Sequence, residues 1–292
     1  MINYKDCYQL NNGLQIPCMG FGTYNAKDGD NREIIGTAIK AGYRYFDTAS
    51  LYGTERDLGA AIRESGIPRE EFFIVSKVWI DEMGYEEVKK AFAASLERLQ
   101  MDYLDLYLIH WPRKSEDDTE WKKRLTMTWL AMEELYDTGK VRGLGLSNFL
   151  PHHIEVLMHN AKIKPVVDQL EIHPGYSQEA AVAYCKANNI QVQAWSPIGR
   201  SALLTNPYMM SLAEKYHVSV AQLCLRFLIQ KGIIPLPKAS TMERMKQNQD
   251  VFGFDISEED MWILTCMPQN LWLGEHPDFA VPTATSEGKN EI

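Results

Sequence analysis

Short apolar runs alternate along this chain with longer stretches whose apolar residues recur at helical spacing. Met19 to Thr23, Tyr43 to Phe46, Phe72 to Ser76, Leu104 to Ile109, Val141 to Leu146, Val166 to Leu170, Gln191 to Ala194 and Ile233 to Leu236 read as strands. Arg32 to Ala41, Glu55 to Ser65, Tyr85 to Leu99, Trp129 to Asp137, His152 to Asn160 and Gln178 to Asn188 read as the helices between them. This alternation implies parallel βαβ units, and eight of them close into a (β/α)₈ or TIM barrel. Asn12-Gly13, between Tyr8-Gln9-Leu10 and Leu14-Gln15-Ile16, predicts an N-terminal β-hairpin that plugs the barrel bottom. Ser257 ahead of Glu258-Glu259-Asp260 predicts a capped helix start, and Gly66, Gly139 and Gly232 stand where helices stop. Ser115 to Lys123 is expected to be a solvated, charged loop. From Pro268 the periodicity fades, so one barrel domain is expected over 1–292, with about 268–292 forming a C-terminal loop over the barrel mouth and a tail.

The chain has 292 residues, 45% of them hydrophobic, which is ample for one large core. A formal charge of -9 and a pI near 5.3 disfavour nucleic acid or an anionic membrane as partner, because both would repel the protein. Met1 to Leu10 lacks signal-sequence character and no apolar run approaches a membrane span, so a cytoplasmic monomer or weak homo-oligomer is expected. Five cysteines (Cys7, Cys18, Cys185, Cys224, Cys266) without a Cys-x-x-Cys pair suggest free, mostly buried thiols.

Three of the strand-like runs end in reactive side chains. Tyr43 to Phe46 leads into Asp47, with Tyr52 shortly after; Phe72 to Ser76 leads into Lys77; Leu104 to Ile109 leads into His110. The C-terminal strand ends of a barrel converge on one face, so residues distant in sequence can meet there. Together these four form an acid/base and electrostatic set suited to carbonyl reduction. A hydride leaves an alkoxide developing on the carbonyl oxygen, and the site must then provide a proton donor and cationic or hydrogen-bonding support.

Gly42-Tyr43-Arg44-Tyr45-Phe46-Asp47-Thr48-Ala49, Leu51-Tyr52-Gly53-Thr54-Glu55, Leu146-Ser147-Asn148-Phe149 and Pro237-Lys238 follow one another in the chain. On these segments it resembles the aldo-keto reductase family from Leu14 to about Phe254, especially bacterial-type NADPH-dependent aldehyde, ketone and keto-sugar-acid reductases. The resemblance implies Tyr52 as proton donor, Lys77 and Asp47 as its supporting ion pair, and His110 as the residue orienting the substrate oxygen. The lysine cation is then expected to lower the tyrosine pKa from its ordinary value of about 10. The resemblance further implies NADPH, with NADH used less well, lying extended across the barrel mouth. Gly22, Thr23, Tyr24 and Asp47 would lie beside it, Ser147, Asn148 and Gln169 would meet its carboxamide, and Trp195 would stack on its ring where many relatives have tyrosine. Ser196, Pro197, Ile198 and Gly199 would follow the pyrophosphate. Lys238, Ser240, Thr241, Arg244, Gln247 and Asn248 resemble the adenosine-phosphate segment, and a lysine and an arginine there suit a 2′-phosphate. Ala239 and Gln247 depart from the serine and glutamate common in relatives. Tyr24, Tyr52, Trp79, His110, Trp111 and Trp272 would line the substrate pocket, with Leu273 and Phe279 helping to close it; Arg113 or Arg200 could attract an acidic substrate.

Other chemistries lack their parts. Gly20-Phe21-Gly22 and Gly143-Leu144-Gly145 lack the third glycine of a dinucleotide fingerprint, which disfavours a Rossmann domain. No His-Glu-x-x-His or other clustered ligand set occurs in the sequence, so no metal is expected. Strands four and seven end in His110 and Trp195 rather than in the paired acids of a retaining glycosidase. The alternative from another class is a nicotinamide-binding regulatory or structural protein with vestigial reductase activity.

Overall fold

The computed structural model describes residues 6–24, 30–269 and 274–279. A hairpin of β1 (Cys7–Gln9) and β2 (Gln15–Pro17) pairs Tyr8 with Ile16. Its connection is three residues, Asn11 to Gly13, and contains the Asn12-Gly13 turn dipeptide. Gly13 closes it at φ 87°, where a side chain would be strained, and its N–H donates to Leu10 O.

The main sheet is parallel: β3 (Phe21–Gly22), β4 (Tyr45–Asp47), β5 (Phe73–Val78), β6 (Leu106–Ile109), β7 (Leu144–Ser147), β8 (Val167–Glu171), β9 (Gln191–Trp195) and β10 (Ile234–Pro235), each paired with the next. Gly20 N donates to Pro235 O and Gly22 N to Pro237 O, both at 3.1 Å, so the last strand returns to the first and the barrel closes. Gly20 permits that approach, because a Cβ there would stand 2.6 Å from Leu236 and 2.7 Å from Tyr45. The helices are α1 (Asn31–Ala41), α2 (Glu55–Ser65), α3 (Tyr85–Leu99), α4 (Trp121–Asp137), α5 (Pro151–Met158), α6 (Glu179–Ala187), α7 (Pro207–Lys215), α8 (Val220–Gln230), α9 (Met242–Gln249) and α10 (Glu258–Thr265).

Two apolar clusters follow from the period-2 alternation of the strands. Phe46, Ile74, Tyr107, Ile109, Leu144 and Leu146 face outward onto the helices. Tyr45, Phe73, Val75, Leu106, Leu108, Val167 and Ile234 face inward, joined by Leu10 and Ile16 of the hairpin. The hairpin is tied to the barrel's lower rim, where Asn11 donates to Pro165 O and Asn189 O and Asn12 donates to Arg142 O. The expected plug is therefore in place.

The helix after β6 begins at Trp121, so Trp121 to Lys123 are helical and not part of a solvated loop. Trp121, Leu125, Thr128, Trp129 and Met132 form its buried stripe, while Lys122 and Lys123 take the solvent side. That basic pair at the helix start masked the period. Glycines at 66, 139 and 232 all adopt positive φ just past helix ends, and Ser257 Oγ accepts Asp260 N at 3.2 Å, as expected. All five thiols are free, with Cys18, Cys185 and Cys224 buried and Cys7 and Cys266 exposed. No described helix is long and apolar enough to cross a membrane.

Candidate active site

Alternation determines which side chains reach the barrel mouth. Below Asp47 on the inward face lies Tyr45; below Lys77 lie Val75 and Phe73; below His110 lie Leu108 and Leu106. Each strand is thus apolar at depth and polar at its C-terminal end. Asp47, Lys77 and His110 are buried, and Tyr52 is half-buried on the short turn Ser50–Tyr52.

Lys77 Nζ lies 2.6 Å from Asp47 Oδ1, 3.0 Å from Thr48 O and 3.4 Å from Tyr52 Oη, so its three hydrogens all have receivers. Tyr52 Oη is also 3.4 Å from His110 Nε2. The turn carrying Tyr52 is held by Ser50, Glu82, Thr48 and Thr54, which lie outside the predicted set, and by Thr23, which belongs to it. Ser50 donates to Glu82 Oε2 at 2.7 Å, and Thr48 and Thr23 both meet Thr54 Oγ1 at 2.9 Å. Thr23 donates its own hydroxyl to Asp47 O at 3.0 Å. Glu55, buried at the start of α2, accepts from Ser76 at 2.6 Å and Arg98 at 2.5 Å, and so braces the outer side of β5.

The charge states differ from the simplest expectation. Burial, the Asp47 carboxylate and Tyr24 push the Tyr52 phenol well above its ordinary pKa, although Lys77 is close. The predicted lowering does not occur because desolvation of a phenolate and repulsion from Asp47 outweigh a cation that Asp47 already engages. Burial also lowers Lys77, opposed by Asp47. His110 is pushed well below its ordinary range by burial and then by the Lys77 charge, and is neutral. The site therefore holds a protonated phenol between an amine and a neutral imidazole.

Around this centre the other expected residues converge. Ser147 ends β7, Asn148 follows it at φ 63°, Gln169 sits on β8 and Trp195 ends β9. Gln169 Nε2 donates to Asp47 Oδ2 at 2.8 Å, and Trp195 Nε1 donates to Asn148 Oδ1 at 2.9 Å. Ser196, Gly199, Arg200 and Ser201 continue from β9 with positive φ, and a Cβ on Gly199 would stand 3.2 Å from Leu203. Lys238, Ser240 and Thr241 lie between β10 and α9; Thr241 caps that helix, and Arg244 and Gln247 are exposed while Asn248 is buried. Trp79 and Trp111 are buried, Trp79 edge-on to His110 at 5.1 Å, and Tyr24 is half-exposed against Tyr52 at 4.8 Å. Trp272 and Leu273 lie outside the described residues.

These residues fit a nicotinamide and a carbonyl compound. Trp79 Nε1 and His110 Nδ1 are buried without a hydrogen-bond partner among the described residues, and an indole N–H can only donate. Such a donor, on the ring packed against His110, suits a substrate oxygen.

Residues 274–279 lie across strand ends at the mouth. Gly274 N donates to Glu171 Oε2 at 2.9 Å, and a Cβ on Gly274 would stand 2.4 Å from the Trp195 indole. Phe279 is exposed and stacks on His276, with ring centroids 4.7 Å apart. Asp278 Oδ1 lies 2.9 Å from both His152 Nε2 and His153 Nε2, and Arg113 approaches it at 3.9 Å. Sequence spacing concealed this cluster, since Asp278 is more than a hundred residues away. His153 Nδ1 accepts Leu150 N–H at 3.1 Å, so in the neutral ring Nε2 carries the proton and donates to Asp278. That arrangement clasps the C-terminal segment onto the start of α5. Arg113 is also bound to Ser115 O and Glu116 O, while Arg200 is exposed near the Trp195 ring, at 5.8 Å.

The Aldo/keto reductase family model matches residues 18–266, and the chain belongs to that family. It is an NAD(P)-type oxidoreductase of carbonyl compounds by class. The glyoxal reductase of Bacillus subtilis is 44% identical over 275 residues, covering 94% of this chain and 97% of that protein. The 9,11-endoperoxide prostaglandin H2 reductase of Trypanosoma cruzi is 40% identical, covering 96% of this chain and 97% of its own length. Among solved structures, a Bombyx mori aldo-keto reductase in complex with NADP superposes with a TM-score of 0.82 at 36% identity, covering 91% of this chain and 93% of that one.

Proposed function

We propose that this enzyme reduces aldehydes or ketones to alcohols with NADPH in preference to NADH, and that Tyr52 is the proton donor. The observation that carries the reading is the protonated Tyr52 phenol, 3.4 Å from both Lys77 Nζ and His110 Nε2. Lys77 directs an N–H at Tyr52 Oη and leaves the phenolic hydrogen for a substrate oxygen. As that hydrogen leaves, the lysine charge stabilises the phenolate, and Asp47 keeps the lysine in place. Neutral His110 orients the substrate oxygen without adding charge, and Trp79 and Trp111 with Tyr24 form apolar walls around it.

The bound nicotinamide would supply the hydride. Ser147, Asn148 and Gln169 would hold its carboxamide, Trp195 would present a ring face, and residues 196–199 would follow the pyrophosphate. Gly22, Thr23 and Tyr24 would border it at the first strand. Lys238, Ser240, Thr241 and Arg244 at the start of α9 suit a 2′-phosphate, with Gln247 and Asn248 toward the adenine. The name of the similar Bacillus subtilis protein makes small dicarbonyls the first substrates to assay. Tyr52→Phe is expected to lose roughly 10²–10⁴-fold in kcat while binding NADPH normally. Steady-state rates and a cofactor titration test this, and near-normal turnover overturns the assignment.

A further inference from the structure

Both contacts of the Tyr52 Oη, to Lys77 Nζ and His110 Nε2, are 3.4 Å, longer than the usual hydrogen-bond range. They aim the phenol without fixing its ring, so the ring's place has to come from the backbone that carries it. Beyond Tyr52, that backbone is anchored by Thr54, whose hydroxyl meets Thr23 and Thr48 at 2.9 Å. Before Tyr52, Ser50 donates to Glu82 Oε2 at 2.7 Å, and the same oxygen accepts the Trp79 backbone N–H at 3.2 Å. One carboxylate oxygen thus joins the turn after β4 to the residue that follows β5. Tyr52 and Trp79 also pack on a common neighbour: the His110 ring is edge-on to both, with centroids 5.5 and 5.1 Å away. Glu82 therefore ties together the backbones that carry two of the three rings in this group.

We propose that Glu82 is a positioning residue that sets Tyr52 for proton transfer by tying its turn to the Trp79 backbone. The proposal rests on the reading of Tyr52 as proton donor. Glu82 is half-buried and acts through Ser50, two residues before Tyr52. A hydrogen bond to a carboxylate is stronger than one between neutral groups, so the junction at Oε2 is stiff. Without it the Ser50 hydroxyl rotates and the turn drifts away from Trp79. A misplacement of about 1 Å at a reacting group costs about a hundredfold in rate.

Single-turnover rates of NADPH oxidation by benzaldehyde, measured on the intact chain preloaded with NADPH, test the proposal. Glu82→Ala and Ser50→Ala are each expected to slow this step about tenfold or more, with NADPH Kd preserved within about twofold. The double variant should be no slower than Glu82→Ala alone, because both substitutions remove one and the same interaction. Glu82→Gln keeps an amide oxygen for both donors and should stay within about threefold of wild type. A merely structural role would lower the thermal midpoint and leave the rate of the folded fraction unchanged. Should Glu82→Ala fail to fold, Ser50→Ala decides alone, since it leaves the Trp79 N–H capped. A near-normal rate in Ser50→Ala, additive losses in the double variant, or a Glu82→Gln rate as low as that of Glu82→Ala overturns the inference. Near-normal turnover in Tyr52→Phe would overturn the proton-donor reading instead.

Discussion

Tyr52 retains its proton because burial and the Asp47 carboxylate oppose the phenolate more strongly than Lys77 favours it. Reduction needs the phenol and a neutral His110, and both groups are displaced away from neutrality in the useful direction. Their ordinary values are about 10 and 6.5, so kcat for reduction should be flat between about pH 7 and 9. Alcohol oxidation, which consumes the phenolate, should rise across the same window. A titration step inside it in the reductive direction would contradict these assignments. The tetrad was legible because its members each close a hydrophobic run or follow one closely. Glu82 was not: an acid three residues past Trp79 reads as a helix cap, and nothing in the sequence pairs it with Ser50.

At the scale of elements, the proposed function assigns cofactor selection to α9 and substrate selection to the C-terminal segment. Arg244 N–H is capped by Thr241 at 3.3 Å, which sets the arginine on the first turn of α9. Arg244→Ala should narrow the NADPH preference by about five- to tenfold in kcat/KM, by loss of a charge-assisted contact. An unaltered preference would remove Arg244 from the 2′-phosphate site. Asp278→Ala removes the receiver shared by His152 and His153, so backbone amides of residues 274–279 should exchange faster while those of β5 and β6 do not. Relative kcat/KM among aldehydes should change with cofactor Kd preserved within about threefold. The strand–helix alternation was legible throughout, because strand runs are short and nearly continuous in apolar residues. The early start of α4 was hidden by its basic solvent face, and the clasp by the long chain separation of its members.

For the whole molecule, the hairpin closes one end of the barrel and the chemistry occupies the other. Ile16 is fully buried among inward residues of several strands. Ile16→Ala should cost about 2–5 kcal/mol in urea unfolding, with kcat of the folded fraction unchanged because the substitution is on the lower face. A loss of turnover in fully folded protein would show that the two ends are coupled. The same burial has a consequence for chemical durability. Electrophilic carbonyl compounds attack thiolates rather than thiols, and burial pushes Cys18 up to about 12 and raises Cys185 and Cys224 as well. These sulfurs stay protonated and out of reach, so the buried core around the barrel would be inert toward reactive carbonyl compounds. Covalent damage from such compounds would fall on the exposed Cys7 and Cys266, both far along the chain from the tetrad, and spent enzyme should carry its adducts at these two positions while the barrel remains folded.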